Sequence, residues 1–311
     1  MGAEASSKRV AVIGRPADQR DRALRGPSQS NGARAWRRFR ANKLALVGLV
    51  VTALLILMAI CAPLISRYVT HASPSKQSLL DNFAPAGHAH WFGTDEVGRD
   101  VLARIVYGAR VDLGVAFLAV TVAIIVGTIV GAVAGYYGRW VDTLLMRLVD
   151  VMLSIPSFFL LLLVATLFRV GPIVLAIVIA LIGWFGLARL IRSEILSVKR
   201  RDYVEAARTI GASDFRIIQR HILPNVTHLV ILFATGAVPG FILAEAALSF
   251  LGIGIQPPTP SWGNMLTNAT TYLTKSKGLV FIPGFFLALT VLSLTLIGYA
   301  LRDALDPRLS K

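Results

Sequence analysis

The densest run of residues able to do chemistry lies between Arg201 and Asn225, where Asp202, Glu205, Arg208, Asp214, Arg216, Arg220 and His221 are interleaved with apolar residues. Glu205, Ala206 and Ala207 are helix formers, and Gly211 is placed to cap the C-terminal end of their helix. Ser213 is expected to cap a second helix, with Phe215, Ile217 and Ile218 supplying apolar contacts before Pro224 stops it. Two short amphipathic helices edged by charge suit the groove of a soluble partner. They imply a contact and no reaction.

Elsewhere the chemistry is sparse. His71, His88 and His90 include a His-x-His pair without a third placed ligand, so they read as surface histidines and no metal is assigned. No Gly-x-x-x-x-Gly-Lys-Ser/Thr phosphate loop occurs, and Leu251-Gly-Ile-Gly-Ile does not complete a dinucleotide fingerprint. Neither paired carboxylates nor a nucleophile elbow stands out, so no catalytic residue and no bound cofactor is assigned. Glu245 is the notable charge inside an apolar stretch, where a carboxylate ordinarily faces a bundle interior or a water-filled cavity. Counting from Asn225 at ~1.5 Å per residue places it ~30 Å along a helix, which favours a solvated or paired helix end over a substrate contact. Asp150 lies similarly close to a boundary. Glu245, Ser249, Thr290 and Ser293, with Thr295 beside them, remain the candidates for lining a route through the protein.

The elements that position these residues follow from where charge is missing. Of 311 residues, 55% are hydrophobic and only 16% charged, against about 25% charged in a soluble domain. No Asp, Glu, Lys or Arg occurs between Lys43 and Arg67, Asp112 and Arg139, Asp150 and Arg169, Arg169 and Arg189, Arg220 and Glu245, or Lys277 and Arg302. Each gap holds roughly 18 to 26 residues, near the ~20 needed to cross a bilayer as a helix. The expectation is an all-α membrane protein with six transmembrane helices.

The net charge of +15 is concentrated in the run of cations from Lys8 to Lys43, in the segment Arg189 to Arg220, and at Arg302, Arg308 and Lys311. With six spans all three lie on one side, which the positive-inside rule makes the cytoplasm, giving an N-in, C-in topology. That placement argues for anionic lipid headgroups and against nucleic acid. The tail 1–35 has no apolar period and reads as disordered. The first apolar run starts only near Leu44 and is long enough to span, which speaks against a cleaved signal peptide. Cys61, the single cysteine, lies in the first span and excludes an intrachain disulfide.

Within the spans, Ala119, Ala123, Gly127, Gly131 and Gly135 recur every four residues and predict a close helix contact. Pro156, Pro239–Gly240 and Pro283–Gly284 predict breaks or kinks, and Arg169–Val170–Gly171–Pro172 a tight turn between spans three and four.

The string Glu205-Ala-Ala, three residues, Gly211-Ala212, then Leu223-Pro224-Asn225 resembles the cytoplasmic coupling motif of prokaryotic ABC importer permeases. The stretch from Phe92-Gly-Thr-Asp-Glu-Val-Gly-Arg99 to Arg110 looks like the outside segment of the "C" permease of dipeptide, oligopeptide and nickel importers. Leu248-Ser-Phe-Leu-Gly252, Pro260-Ser-Trp-Gly-Asn-Met265 and Asp306-Pro-Arg-Leu309 extend the likeness over about Arg37 to Leu309. Position 112 is Asp where such relatives often carry Ser, and no role is attached to it.

The resemblance implies a type I ABC importer permease bundle in the bacterial inner membrane, with a first span and outside segment over 36–111, a transmembrane domain over 112–302, a coupling loop over 189–224 and a cytoplasmic end over 303–311. It implies a homologous permease as partner, two ATPase subunits or one fused ATPase that use ATP and Mg, and an extracytoplasmic binding protein. Peptides would be the substrate, with nickel or another small solute as the alternative. Glu205, Ala206, Ala207, Gly211, Ala212, Ser213, Phe215 and Pro224 would form the docking loop. A self-contained secondary transporter would favour an internal repeat and midplane charges, and an intramembrane enzyme a catalytic cluster; neither is evident.

Overall fold

The computed structural model describes residues 31–168 and 171–305. Residues 1–30, the turn residues Arg169 and Val170, and 306–311 with Arg308, Lys311 and the Asp306–Leu309 motif lie outside the described residues. The described part is helical, with one isolated β-bridge between Thr94 and Asp100 and no named strand. Helix α1 (Asn31–Ala41) starts inside the stretch expected to be irregular, because Ala33, Ala35 and the Arg37–Arg38 pair are good helix formers. It is followed by α2 (Lys43–Ile60), which Asn42 caps by accepting a hydrogen bond from the Ala45 amide at 3.2 Å. A short α3 (Ala62–Ile65) leads to the outside segment.

Helix α4 (Val101–Tyr137) begins at Asp100, whose Oδ1 accepts from the Ala103 amide at 2.8 Å, and ends at Gly138 with φ +66°. Its 37 residues extend ~55 Å, well beyond the apolar core of a bilayer. Then come α5 (Arg139–Ser154) and α6 (Ser157–Leu167), bent 91° at Pro156, and α7 (Pro172–Gly183) and α8 (Phe185–Val198), bent 42°. Short helices α9 (Asp202–Thr209) and α10 (Asp214–Ile217) precede α11 (Leu223–Phe250). The outer hairpin carries α12 (Trp262–Met265) and α13 (Ala269–Lys275), and α14 (Gly278–Leu305) closes the described chain. Four helices are long and apolar enough to cross a membrane by themselves, or six spans result if each bent pair counts as one.

The small-residue stripe is where the bundle closes most tightly. A Cβ built on Gly127, Gly131 or Gly135 would stand 3.0, 2.6 and 3.0 Å from the carbonyl oxygens of Trp184, Ala188 and Arg192. The α4 and α7–α8 backbones therefore touch along the stripe the four-residue spacing predicts. On the far side of α8, Arg192 Nε and Nη2 reach Asp142 Oδ1 and Oδ2 at 2.9 and 2.5 Å, and Arg189 pairs with Asp150, so α5 is held to α8 by charge.

Two expected breaks are absent. Pro239 and Pro283 both lie inside continuous helices. Pro239 supplies no amide for the Thr235 carbonyl, yet that oxygen lies against Gly298 of α14, 3.1 Å from where a Cβ would stand. At Pro156, by contrast, the helix breaks and the chain turns.

The segment over residues 66–100 is ordered by polar contacts. Arg99 Nε donates to Asp95 Oδ2 at 2.6 Å and its Nη2 to Glu96 Oε1 at 2.9 Å, while Gly98, at φ +73°, lets the Ser78 carbonyl approach. Tyr272 of α13 donates to Glu96 Oε2 at 2.6 Å, and burial, then this bond, raises its phenol above the ordinary range. His90 Nδ1 lies 2.9 Å from Asp100 Oδ2, so it braces the cap of α4. Among the described residues no three His, Cys, Asp or Glu side chains gather as metal ligands.

Candidate coupling site around Glu205 and Gly211

Helix α8 runs on to Val198, further than the loop boundary at 189 suggests, and the chain turns through 199–201 into α9. Val204 and Ala207 of α9 are buried against Ile191, Ile195 and Val198 of α8 and Ile217, Ile222 and Val226 beyond. Their i, i+3 spacing pins one face of α9 to the bundle. The opposite face presents Tyr203, Ala206 and Ile210, with Ile210 85% exposed. Asp202 and Glu205 occupy the first turn, where the helix dipole favours them, and the Glu205 side chain makes no hydrogen bond or ion pair among the described residues.

The end of α9 bears out the reading of Gly211. The Ala212 amide donates to the Ala207 carbonyl at 3.1 Å and the Gly211 amide to Arg208 at 3.0 Å, with Gly211 at φ +84°. That is a Schellman cap, with Ala212 packed into the same cluster as Ala207. No atom lies within 4 Å of a Cβ at Gly211, so the chain itself demands only the left-handed backbone there.

Beyond the cap the structure differs from expectation three times. Ser213 is extended at the N-cap position but its side chain makes no cap hydrogen bond, because Asp214 and its tie to α4 already fix the turn. Phe215 is 72% exposed, so of the expected apolar contacts it is Ile217, fully buried, that holds α10. Pro224 does not stop a helix: a π turn over Ile218–Ile222 leads straight into α11, and Pro224 sits in its first turn, where its missing amide is no loss. Tyr203, Ala206, Ile210 and Phe215 remain as uncovered side chains around Gly211.

Residues that sequence reading passed over join this surface to the bundle. Tyr136, in the last turn of α4, donates its hydroxyl to Asp214 Oδ1 at 2.6 Å. Arg208 Nη2 reaches the same hydroxyl at 3.5 Å, and its guanidinium lies 5.9 Å from the ring centroid. Lys199 Nζ donates to the Gly135 carbonyl at 2.7 Å, and partial burial lowers its ammonium below the ordinary range. Tyr136 directly follows the glycine stripe, so it ties α9 and α10 to the helix that packs on α7 and α8. Tyr136→Phe is expected to weaken this joint by about 1 kcal/mol, read as a lower thermal unfolding midpoint in detergent with unchanged insertion into the membrane.

The four candidate route residues are buried within the single chain. Glu245, Ser249 and Thr290 are fully buried and Ser293 is 3% exposed. Glu245 is a paired group and is not solvated: Ser249 Oγ donates to its Oε1 at 2.7 Å, because the chain after Phe250 folds back over the helix end. Thr290 donates to the Phe286 carbonyl at 2.7 Å, and Thr52 of α2 donates to Ser293 Oγ at 3.0 Å, so both serve helix packing. An open groove of about 240 Å³ lies between Thr235, Gly236 and Pro239 of α11 and Thr295, Gly298 and Arg302 of α14.

Comparison with known proteins agrees with this layout. Residues 123–311 match the family described as binding-protein-dependent transport system inner membrane component, and 30–85 match the N-terminal transmembrane domain of oligopeptide transport permease C. The dipeptide transport system permease protein DppC of Bacillus subtilis is 41% identical over 291 residues, 93% of this chain and 89% of that protein. DppC of Alkalihalophilus pseudofirmus is 43% identical over 279 residues, 88% and 89% of the two chains. The oligopeptide transport system permease protein OppC of B. subtilis is 38% identical over 277 residues, 89% and 90%.

Proposed function

Because the chain belongs to the family of binding-protein-dependent transport system inner membrane components, we propose that it forms half of the translocation pathway of an ATP-driven peptide importer. It is a multi-pass membrane transport subunit and no enzyme itself; importers of this family work with ATPase subunits and a substrate-binding protein. The names of its relatives, which specify dipeptides and oligopeptides, favour peptides over nickel or another small solute. The finer reading is a homologous permease as the other half, two ATPase subunits or one fused ATPase using ATP and Mg, and six spans with both ends in the cytoplasm. The cation runs support that topology, and the two bent helix pairs are counted as spans three and four.

The observation that carries the coupling role is the exposed α9–Gly211–Phe215 surface, anchored to the bundle through Val204, Ala207, Ala212, Ile217 and the Tyr136 joint. ATP-driven closure of the ATPase pair pulls this surface toward its counterpart on the second permease, and α4 and α8 follow, turning the bundle outward. Substrate selection lies mainly in the binding protein. The importer reconstituted in liposomes is expected to take up labelled dipeptide only with ATP, binding protein and this chain all present. Uptake that persists without the ATPase subunits would overturn the reading.

A further inference from the structure

Asp112 of α4 and Glu245 of α11 are both fully buried and lie within hydrogen-bonding reach of each other. Three of the surrounding contacts are fixed. Asp112 Oδ2 accepts from the Trp262 amide at 3.0 Å, Trp262 Nε1 donates to the Ile105 carbonyl at 3.0 Å, and Ser249 Oγ donates to Glu245 Oε1. Ser249 Oγ in turn accepts from the Ile255 amide at 2.9 Å. The other two oxygens, Asp112 Oδ1 and Glu245 Oε2, are buried without a hydrogen-bond partner among the described residues, and the Ser261 hydroxyl lies beside Glu245.

No cation compensates them. Arg104, on the same helix, is turned to Asp95 at 3.5 Å and to Asn264 at 3.4 Å. The hairpin over Ser261–Met265 brings no titratable side chain, and among the described residues no ion pair involves either carboxylate. Two ionised carboxylates buried together would cost several kcal/mol each, and two orphaned acceptors add the loss of their hydrogen bonds. One hydrogen placed between Oδ1 and Oε2 satisfies both oxygens. One is enough, since Oδ2 and Oε1 already accept from Trp262 and Ser249.

We propose that Asp112 and Glu245 bind a single proton between them, and that this proton-bridged pair latches the segment Leu251–Met265 onto the outer ends of α4 and α11. The backbone is built for that closure. A Cβ on Gly263 would stand 2.5 Å from the Ala246 carbonyl, and one on Gly254 2.4 Å from Ser249 Oγ. Trp262, fully buried, is the wedge the latch retains.

Asp112→Asn and Glu245→Gln provide the test, because each keeps the pair's single negative charge while an amide N–H supplies the bridging hydrogen. In the complete importer in lipid nanodiscs at neutral pH, infrared spectra of the parent are expected to show a protonated-acid carbonyl band, shifted in D2O, that both variants lose. Hydrogen exchange over 261–265 is expected to stay slow in Asp112→Asn and to become about tenfold faster in Asp112→Ala, which leaves the Trp262 amide unpaired. A band that survives in both amide variants would overturn the shared proton. Exchange in Asp112→Asn as fast as in Asp112→Ala would overturn the latch.

Discussion

Gly131→Leu is expected to prevent assembly of the bundle. A Cβ at this position meets the Ala188 carbonyl at 2.6 Å and the Ile191 Cβ at 2.8 Å, so the side chain has backbone in front of it and no rotamer to escape into. The rest of the stripe cannot accommodate a shift, since a Cβ at Gly127 or Gly135 would already stand 3.0 Å from the Trp184 or Arg192 carbonyl oxygen. Overpacking of a core commonly costs 1–3 kcal/mol and more where backbone must move; here about 3 kcal/mol or more is expected. Gly114→Leu is the control, on the same helix at an exposed position with nothing within 4 Å. Size-exclusion profiles and thermal unfolding in detergent check this. Gly114→Leu should match the parent, while Gly131→Leu should aggregate or melt far earlier.

The second large effect is functional. Ile210→Asp combined with Phe215→Asp is expected to lower ATP-driven uptake tenfold or more while leaving membrane insertion and thermal stability unchanged. Both side chains are largely exposed in the single chain, at 85% and 72%, so their replacement should change folding by no more than about 0.5 kcal/mol. If they fill pockets on a partner, each loss is worth about 2 kcal/mol at the interface. Glu205→Ala and Gly211→Val are expected to act in the same direction, the latter because φ +84° disfavours a branched residue. Parent-level uptake in the double variant would move the docking surface elsewhere.

The parts of this structure most legible in sequence were those with a period or a special backbone requirement. The stripe from Ala119 to Gly135 announced a close helix contact because its spacing is that of one helix face, and the structure places two carbonyl-bearing helices on it. Gly211 was legible because a left-handed residue after Thr209 needs glycine. What could not be read depends on partners distant in sequence. Pro239 looks like a break until Gly298 of α14 is seen beside the Thr235 carbonyl. Glu245 reads from sequence as a solvated or paired helix end, and its partner shows only when the chain beyond Phe250 returns with Trp262 and meets Asp112, 133 positions before it in the chain (245 − 112). Tyr136 is one aromatic among many until Asp214, 78 residues on, accepts its proton. In each case local propensity stated the residue's own preference, and tertiary contact decided its role.

Docking of α9 on an ATPase subunit is tested most directly by a photoreactive residue at position 206 or 210, on the uncovered face, in the assembled importer. Irradiation is expected to join this chain to an ATPase subunit in high yield, with a yield that changes when nucleotide closes the ATPase pair. A crosslinker at Val204, buried against α8, should give no such product. If positions 206 and 210 instead react only with lipid or with the binding protein while uptake stays intact, α9 is not the coupling helix.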